Sequence, residues 1–222
     1  MATGNVTALI LAGGRGSRMG GVDKGLQLFN GIPLVLHTLQ RLQAQQGGLV
    51  CQVLINANRS LPDYQAMGVD VLPDAVPDEF AGPLSGFLTG LEHCKSPYLL
   101  TVPCDTPLFP LDLAARMALA LADNNAEIAM ASAPELDDQG ISKTRSQPVF
   151  CLLQTNLKPS LQAFMQVGGR KIDAWTARHR TVLVPFDQPS DDPRAFANAN
   201  TLAELRALQS AQLPESNPLL NI

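Results

Sequence analysis

The sequence predicts an α/β fold in which helices cover both faces of an open, mostly parallel β-sheet. Short, continuous apolar runs alternate with segments of helical periodicity through the first 132 residues, and several runs end at glycine or proline. Such runs are typical of parallel strands that are buried on both faces. Of the 222 residues, 45% are hydrophobic and 16% are charged, a composition that supports a sizeable globular core.

The first part of the chain contains five predicted strands separated by four predicted helices. The apolar runs place the strands at 7–11, 51–56, 69–72, 98–102 and 127–132. Leucine spacing and flanking proline and glycine residues place the helices at 33–46, 61–68, 83–94 and 111–122. Because strand and helix alternate this regularly, we expect the strands to lie parallel in one sheet.

The alternation becomes less regular beyond residue 132. We expect a polar loop over 134–146, strands at 147–154 and 180–186, and helices at 155–167, 170–178 and 201–212. Thr201 precedes the last helix and Glu204 follows three residues later, a pattern that predicts a capping box. No linker divides the chain, so one domain is expected over 1–212, followed by a tail at 213–222.

The segment from residue 9 to residue 25, "LILAGGRGSRMGGVDKG", leaves the first strand at its carboxyl end and contains six glycines and three basic residues. Ligands of open α/β sheets bind at this edge, and glycine-rich backbone directs N–H groups at phosphate oxygens. Arg15, Arg18 and Lys24 add positive charge. The segment therefore predicts a site for a phosphorylated ligand, although it matches neither a Walker A loop nor the dinucleotide fingerprint.

Asp105 follows the fourth predicted strand in the stretch "TVPCDTP" and so lies at the same edge of the sheet. A carboxylate that faces phosphate groups repels them unless a cation lies between. Mg²⁺ is typically held by one or two carboxylates together with substrate phosphates. We therefore expect Mg²⁺ as a cofactor with Asp105 as its ligand, while a simple turn or cap before Pro107 is the alternative role of this carboxylate.

Composition and charge argue against several classes of protein. The formal net charge of −4 disfavours nucleic acid as the main partner, because nucleic-acid-binding domains carry basic surfaces. No apolar segment approaches the roughly 18 residues of a membrane helix, and no signal peptide is recognisable, so a cytoplasmic protein is expected. The four cysteines lack metal-binding spacing and are expected to be buried, reduced thiols.

Several motifs resemble those of nucleotidyltransferases with a modified Rossmann (glycosyltransferase A-like) fold, and within that group the molybdenum cofactor guanylyltransferases. In chain order they are "LAGGRGSRMGGVDKGL", "NANR" at 56–59, "PD" at 73–74, "GPLSG" at 82–86, "PCDTP" at 103–107 and "FANANT" at 196–201. Their order and spacing match over about 7–208. The resemblance implies a nucleotide-binding half at about 1–132 and an acceptor-binding half at about 133–212.

The resemblance implies transfer of GMP from GTP to the terminal phosphate of molybdenum-molybdopterin, with release of pyrophosphate and Mg²⁺ as cofactor. It also implies transient contact with other proteins of molybdenum cofactor biosynthesis. The catalytic residues would be Lys24, Arg18 and Asp105. The GTP site would consist of Leu11, Ala12, Gly13, Gly14, Arg18, Lys24, Asn56, Asp74 and Asp105. Asn200 is a candidate second metal ligand, and the candidate acceptor residues are Arg145, Gln147, Arg170 and Lys171.

Three alternatives remain open at this point. A cytidylyltransferase of the same cofactor shares the glycine-rich segment and "PCD", whereas "GGVDKGL" with "NANR" favours guanine. Sugar-phosphate nucleotidyltransferases are usually longer and carry carbohydrate-binding extensions. A GTP-binding adaptor without catalysis would have little use for a metal-placing carboxylate such as Asp105. Asn56 and Asp74 both suit the nucleoside, and which of them meets the base and which the ribose is open.

Overall fold

The computed structural model describes residues 1, 3–14, 23–74, 82–136 and 141–210. In this part of the chain the strands are β1 (Val6–Leu11), β2 (Leu28–Phe29), β3 (Ile32–Pro33), β4 (Val50–Asn56), β5 (Asp70–Leu72), β6 (Tyr98–Pro103), β7 (Ile128–Leu136), β8 (Ser142–Gln154) and β9 (Thr181–Pro185). The helices are α1 (Leu34–Gln43), α2 (Leu61–Gln65), α3 (Pro83–His93), α4 (Leu113–Asp123), α5 (Lys158–Gln166), α6 (Ile172–Thr176) and α7 (Leu202–Ser210). Each long apolar run of the sequence therefore forms the element that its pattern predicts.

Seven strands form one open sheet in the order β5-β4-β1-β6-β8-β7-β9. Strands β5, β4, β1 and β6 run parallel, β9 runs parallel to β7, and β8 is antiparallel to both of its neighbours. The predicted fold class, an open and mostly parallel sheet, is thus confirmed. Because four neighbouring strands share one direction, the loops after β5, β4, β1 and β6 meet at a single edge.

Helices cover both faces of the sheet and enclose two apolar cores. Along β1, Ala8 and Ile10 face a core that includes α1 and α4, whereas Leu9 faces a second core built with α3, α5 and α6. This division follows from the alternation of side chains along a strand. The last helix, α7, joins a smaller cluster with β2 through Leu205 and Phe29. That contact anchors the chain just beyond Asn200 near the edge where the parallel strands end.

The expected polar loop over 134–146 is wrong. Strands β7 and β8 continue pairing through this stretch, from Pro134 opposite Thr144 to Leu136 opposite Ser142, and residues 137–140 lie outside the described part of the chain. The sequence conceals the pairing because residues 142–146 are all exposed and so show no apolar alternation. A strand that is exposed to solvent on both faces has no alternation of apolar and polar residues by which it can be detected.

The short hairpin formed by β2 and β3 was also absent from the sequence-based expectation. Its turn consists of Asn30 and Gly31, which have φ values of 52° and 78°. Positive φ at both central residues is the condition for a type I′ hairpin turn, and Asn-Gly is its strongest sequence signal. The two-residue strands are too short for a periodicity search, but the Asn-Gly pair in "LFNGIP" would have revealed them.

The cysteines are free thiols, but the expectation that they are all buried is wrong. Cys104 and Cys151 are buried, Cys94 is half-buried and Cys51 is exposed. Cys51 lies at the amino end of β4, outside the buried part of the strand that contains Leu54 and Ile55.

In the described ranges, no helix is both long enough and apolar enough to cross a bilayer.

Candidate active site

Backbone hydrogen bonds hold together the loops that follow the parallel strands. The N–H of Ala12 donates to the carbonyl of Asn56 at 2.8 Å, and that of Cys104 donates to the carbonyl of Leu11 at 3.2 Å. These bonds continue the sheet by one step beyond the strand ends. The predicted GTP-site residues Leu11, Ala12, Gly13 and Gly14 lie at the centre of this edge.

Three of the predicted site residues converge on one point, although they are far apart in sequence. Lys24 Nζ donates to Asn200 Oδ1 at 2.7 Å and lies 3.3 Å from Asp105 Oδ2. The side chains of Lys24 and Asp105 retain 22% and 17% of their exposure, so the pair is partly sheltered but reachable from solvent. We refer to Lys24, Asp105 and Asn200 as the lysine cluster. In it, one carboxylate oxygen and one amide oxygen contact the same ammonium group, that of Lys24.

The loop that carries Asn200 is fastened to the loop that carries Asp105. The N–H of Ala199 donates to the carbonyl of Asp105 at 2.8 Å, and Thr106 Oγ1 donates to Asn198 Oδ1 at 2.7 Å. The lysine cluster is thus assembled by two loops that are bonded to each other.

The predicted capping box forms at the start of α7 and orients the same loop. The N–H of Glu204 donates to Thr201 Oγ1 at 3.1 Å, and Glu204 Oε2 accepts the N–H groups of Thr201 and Asn200 at 3.0 and 2.7 Å. Reciprocal bonds of this kind satisfy the first unpaired N–H groups of a helix. Asn200 therefore leads into the helix cap and also contacts Lys24 through its side chain.

Cys104, next to Asp105, is not equipped to act as a nucleophile. Its side chain is buried, and this burial raises the pKa of the thiol well above its usual value, with the negative charges of Asp105 and Asp23 adding to the shift. A thiol is nucleophilic only as the thiolate. Cys104 consequently remains protonated and packs as an apolar residue beneath the site.

A second group of polar side chains lies at the ends of β4 and β5. Asn56 Nδ2 donates to Asp74 Oδ1 at 2.8 Å, and Asn58 Nδ2 donates to Asp74 Oδ2 at 2.9 Å. Asn58 Oδ1 also accepts the backbone N–H of Asp74 at 2.8 Å. Both carboxylate oxygens are therefore held by amide donors. We call Asn56, Asn58 and Asp74 the amide–carboxylate cluster.

Two glycines make room for Asn56, which is 3% exposed. A Cβ atom on Gly86 would lie 2.5 Å from Asn56 Oδ1 and 2.4 Å from Leu11 Cδ2, and one on Gly13 would lie 3.4 Å from the same amide oxygen and 3.0 Å from Asn58 Nδ2. Gly86 lies in the first turns of α3. These glycines allow helix and loop to approach the amide side chains closely, which is the recurrent use of glycine at ligand sites.

The two clusters lie on either side of β1. Strand β4 and strand β6 flank β1 directly, so the cluster after β4 and the cluster after β6 are about 10 Å apart, two interstrand spacings. Arg59 adds a contact at the middle of this edge, where its guanidinium donates to the carbonyl of Gly14 at 2.8 Å. Arg18, which the sequence resemblance made catalytic, lies outside the described residues.

The candidate acceptor residues occupy two places. Arg145 and Gln147 lie on β8, whose antiparallel register carries them beyond the carboxyl end of β6, and both face Glu135: Gln147 Nε2 donates to Glu135 Oε1 at 2.6 Å, and Arg145 Nε is 3.7 Å from Glu135 Oε2. Arg170 donates to the carbonyls of Met165 and Gly169, and Lys171 precedes α6. The structure does not gather the four into one group.

Asn58 is the residue of this site that the sequence analysis missed, although it lies inside the quoted "NANR". It is separated from Asn56 by one residue, and side chains two apart on extended backbone point to the same side. That spacing, combined with the Pro-Asp pair at 73–74, is the sequence signal that identifies Asn58.

The chain is similar to known proteins along nearly its whole length. The family described as the MobA-like NTP transferase domain matches residues 8–212. Proteins named molybdenum cofactor guanylyltransferase are 63% identical over 93% of this chain in Albidiferax ferrireducens, covering 96% of that protein, and 63% identical over 95% of this chain in an Acidovorax strain, covering 98% of that protein.

Solved structures share the fold at much lower identity. The molybdopterin-guanine dinucleotide biosynthesis protein A of Archaeoglobus fulgidus superposes with a TM-score of 0.70 at 16% identity, covering 92% of this chain and 97% of the other. A 4-diphosphocytidyl-2C-methyl-D-erythritol synthase of Anaerococcus prevotii gives a TM-score of 0.69 at 10% identity, covering 93% and 95%. The chain therefore belongs to the family of MobA-like NTP transferase domains.

Proposed function

We propose that this protein transfers GMP from GTP to the terminal phosphate of molybdenum-molybdopterin and releases pyrophosphate. The relatives that match over almost the full chain are named for guanylyl transfer to the molybdenum cofactor. The observation that carries the proposal is the convergence of Lys24, Asp105 and Asn200 at the carboxyl edge of a parallel sheet. A cluster with one ammonium and one carboxylate suits a polyphosphate and its counter-cation.

The reaction requires alignment and charge neutralisation, not a protein nucleophile. A phosphate oxygen of the acceptor attacks the α-phosphorus of GTP, and the bond from that phosphorus to the bridging oxygen of pyrophosphate breaks. Positioned cations supply most of the catalysis in such displacements. Lys24 would neutralise the charge that develops on the leaving pyrophosphate, and the backbone N–H groups of Gly13 and Gly14 would bind the phosphates. Cys104 stays protonated and takes no part.

The oxygens of the lysine cluster fit a hard divalent cation, and we propose Mg²⁺. Within the described ranges no three His, Cys, Asp or Glu side chains gather to hold a metal, so Asp105 and Asn200 would provide only part of a coordination shell. This partial set is suited to Mg²⁺, which characteristically takes its remaining ligands from substrate phosphates and water. The ammonium of Lys24 bonds both oxygens, and this contact supports the proposal that the two oxygens can share a positive charge. When bound, the metal would supply charge neutralisation of the phosphates.

The amide–carboxylate cluster would bind the nucleoside. Asp74 can accept the N–H groups of a guanine edge or the hydroxyls of ribose through the lone pairs that Asn56 and Asn58 leave available. The separation between the two clusters is one that a nucleoside triphosphate can bridge. For the acceptor we propose the half of the chain from about residue 133 onward, where Arg145 and Gln147 extend past the end of β6.

A thermal-shift panel tests the nucleotide assignment. A ligand that binds only the folded state stabilises it according to its concentration and dissociation constant. We expect GTP with Mg²⁺ to raise the Tm more than CTP, ATP or UTP at equal concentration, and EDTA to remove most of the shift. A larger shift with CTP would assign the protein to the cytidylyl branch. Binding of GTP without any GMP transfer to metallated molybdopterin would favour the adaptor alternative.

Replacement of Asn58 by alanine is expected to weaken GTP binding about tenfold or more. The substitution removes the donor to one oxygen of Asp74 and the acceptor of its backbone N–H, and hydrogen bonds to charged groups contribute roughly 1.5–3 kcal/mol. Asn58→Asp should be worse, because it places a second carboxylate against the first. Calorimetric titration with Mg–GTP gives the affinities. Asn124→Ala, an exposed asparagine at the end of α4, is the control, and equal affinities in all the variants would refute the role of Asn58.

A further inference from the structure

Tyr64 is fully buried, yet its hydroxyl reaches the residue next to Lys24. It lies in α2 with an exposed fraction of 0%, and its hydroxyl donates to Asp23 Oδ1 at 2.5 Å. The same carboxylate oxygen accepts the N–H of Gly25 at 3.2 Å, which caps the short 3₁₀ turn from Lys24 to Leu26. One carboxylate therefore joins the turn that carries Lys24 to a side chain in the core. A hydrogen bond from a phenol to a carboxylate is charge-assisted and stronger than a neutral one.

The turn rests directly on the phenol. A Cβ atom on Gly25 would lie 2.4 Å from the hydroxyl oxygen of Tyr64 and 3.3 Å from its nearest ring carbons. Gly25 is buried and does not have a positive φ, so glycine is required here for close approach and not for backbone conformation. The ring in turn belongs to the apolar core that also includes Ala57 and Cys104. Lys24 is consequently attached to the packed interior through a contact surface and a hydrogen bond.

The hydroxyl of Tyr64 is protonated at neutral pH and can therefore donate to Asp23. Burial raises the pKa of Tyr64 far above its usual value, and the hydrogen bond to Asp23 and the negative charge of that carboxylate raise it further. A buried phenol without this acceptor would leave a polar group unsatisfied, which is costly. Asp23 therefore satisfies the buried hydroxyl of Tyr64 and, with the same oxygen, caps the turn that carries Lys24.

We propose that Tyr64 is a positioning residue for Lys24. Through its hydrogen bond to Asp23, Tyr64 holds the 3₁₀ turn in the position from which the Lys24 ammonium reaches Asp105 and Asn200. The inference rests on the proposed role of Lys24 in binding GTP. It assigns no contact between Tyr64 and substrate. Loss of the hydroxyl would leave the ring in the core but release the turn from it, so that the ammonium is less often at the lysine cluster.

The variant Tyr64→Phe tests this, with Tyr98→Phe as a matched control. Tyr98 is the other tyrosine of the chain and pairs with Val6 at the amino end of β6, the opposite end from the site. The first readout is the rate of reductive methylation of Lys24, followed by peptide mass spectrometry, which requires no nucleotide. We expect this rate to rise several-fold in Tyr64→Phe and to stay unchanged in Tyr98→Phe. An unchanged rate in Tyr64→Phe would overturn the inference whatever the enzyme does with GTP.

The second readout is the dissociation constant of Mg–GTP in a double-mutant cycle with Lys24→Ala. If Tyr64 acts through Lys24, its substitution weakens binding about tenfold in the parent and less than about twofold once the lysine is gone, because interacting residues are non-additive. An equal loss in both backgrounds would mean that Tyr64 supports the fold or the nucleotide independently, and would overturn the inference. If methylation responds while Lys24→Ala leaves GTP binding intact, the positioning holds and it is the proposed role of Lys24 that fails.

Discussion

Replacement of Asp105 by asparagine is expected to lower kcat for GMP transfer by about a thousandfold, the magnitude typical for the loss of one preorganised electrostatic contact to a transition state. The substitution is almost isosteric, so the bonds from the Ala199 N–H to the carbonyl of residue 105 and from Thr106 to Asn198 still hold the two loops together. What disappears is the single negative charge in the lysine cluster. Without it, a divalent cation would have only neutral amide oxygens from the protein and its affinity would fall.

The effect on stability should be small by comparison. Lys24 and Asp105 are partly exposed, and ion pairs in such surroundings contribute about 1 kcal/mol or less. Lys24 also keeps its bond to Asn200. We therefore expect the Tm of Asp105→Asn to fall by only a few degrees while catalysis nearly disappears.

Single-turnover assays with saturating GTP and metallated molybdopterin measure this change, and a Mg²⁺ titration separates metal affinity from chemistry. Asp112→Asn serves as the control, because that carboxylate also pairs with a basic residue, Arg116 at 3.7 Å, but at the surface before α4. Retention of more than a tenth of the parental kcat by Asp105→Asn would contradict the metal-binding role proposed for this carboxylate.

Periodicity explains why most of the fold was predictable. The central strands β1 and β6 are buried on both faces, so their sequences are continuous apolar runs. The four parallel strands β1, β4, β5 and β6 were placed to within two residues. The first part of β8 was missed, because its residues 142–146 are all exposed and a hydrophobic pattern reports burial, not hydrogen bonding. The capping box at Thr201 was predictable for the opposite reason, since both of its partners lie within one helical turn.

The site was predictable as a set of residues but not as a set of contacts. Sheet topology brings strand ends together, which is why Asp105 and Lys24 were expected at one edge. Pairing between side chains depends on side-chain geometry that no spacing records. The sequence therefore could not predict that Lys24 bonds Asn200 or that Gln147 bonds Glu135.

Substitution of Gly86 by alanine is expected to abolish tight GTP binding, although alanine is the better helix former by about 1 kcal/mol. The new Cβ would overlap Leu11 Cδ2 at 2.4 Å and Asn56 Oδ1 at 2.5 Å. The end of the Leu11 side chain can rotate away from the new Cβ. Asn56 is buried and bonded to both Asp74 and the carbonyl of Leu72, so relief of the overlap must displace either this amide or α3. Either movement disrupts the amide–carboxylate cluster.

Gly90→Ala, one turn further along the same helix, separates damage to the site from damage to the fold. Its Cβ would lie 2.7 Å from Leu9 Cδ2 and 3.0 Å from Leu99 Cδ2, an overlap of similar severity with purely apolar atoms. Overpacking of this kind costs about 1–3 kcal/mol, so both variants should lose several degrees of Tm. Only Gly86→Ala should raise the dissociation constant of Mg–GTP, by about thirtyfold or more, equivalent to roughly 2 kcal/mol. Parallel losses of affinity in the two variants would mean that α3 acts on the nucleotide through its overall placement, and that Asn56 is not the point at which the helix meets the ligand.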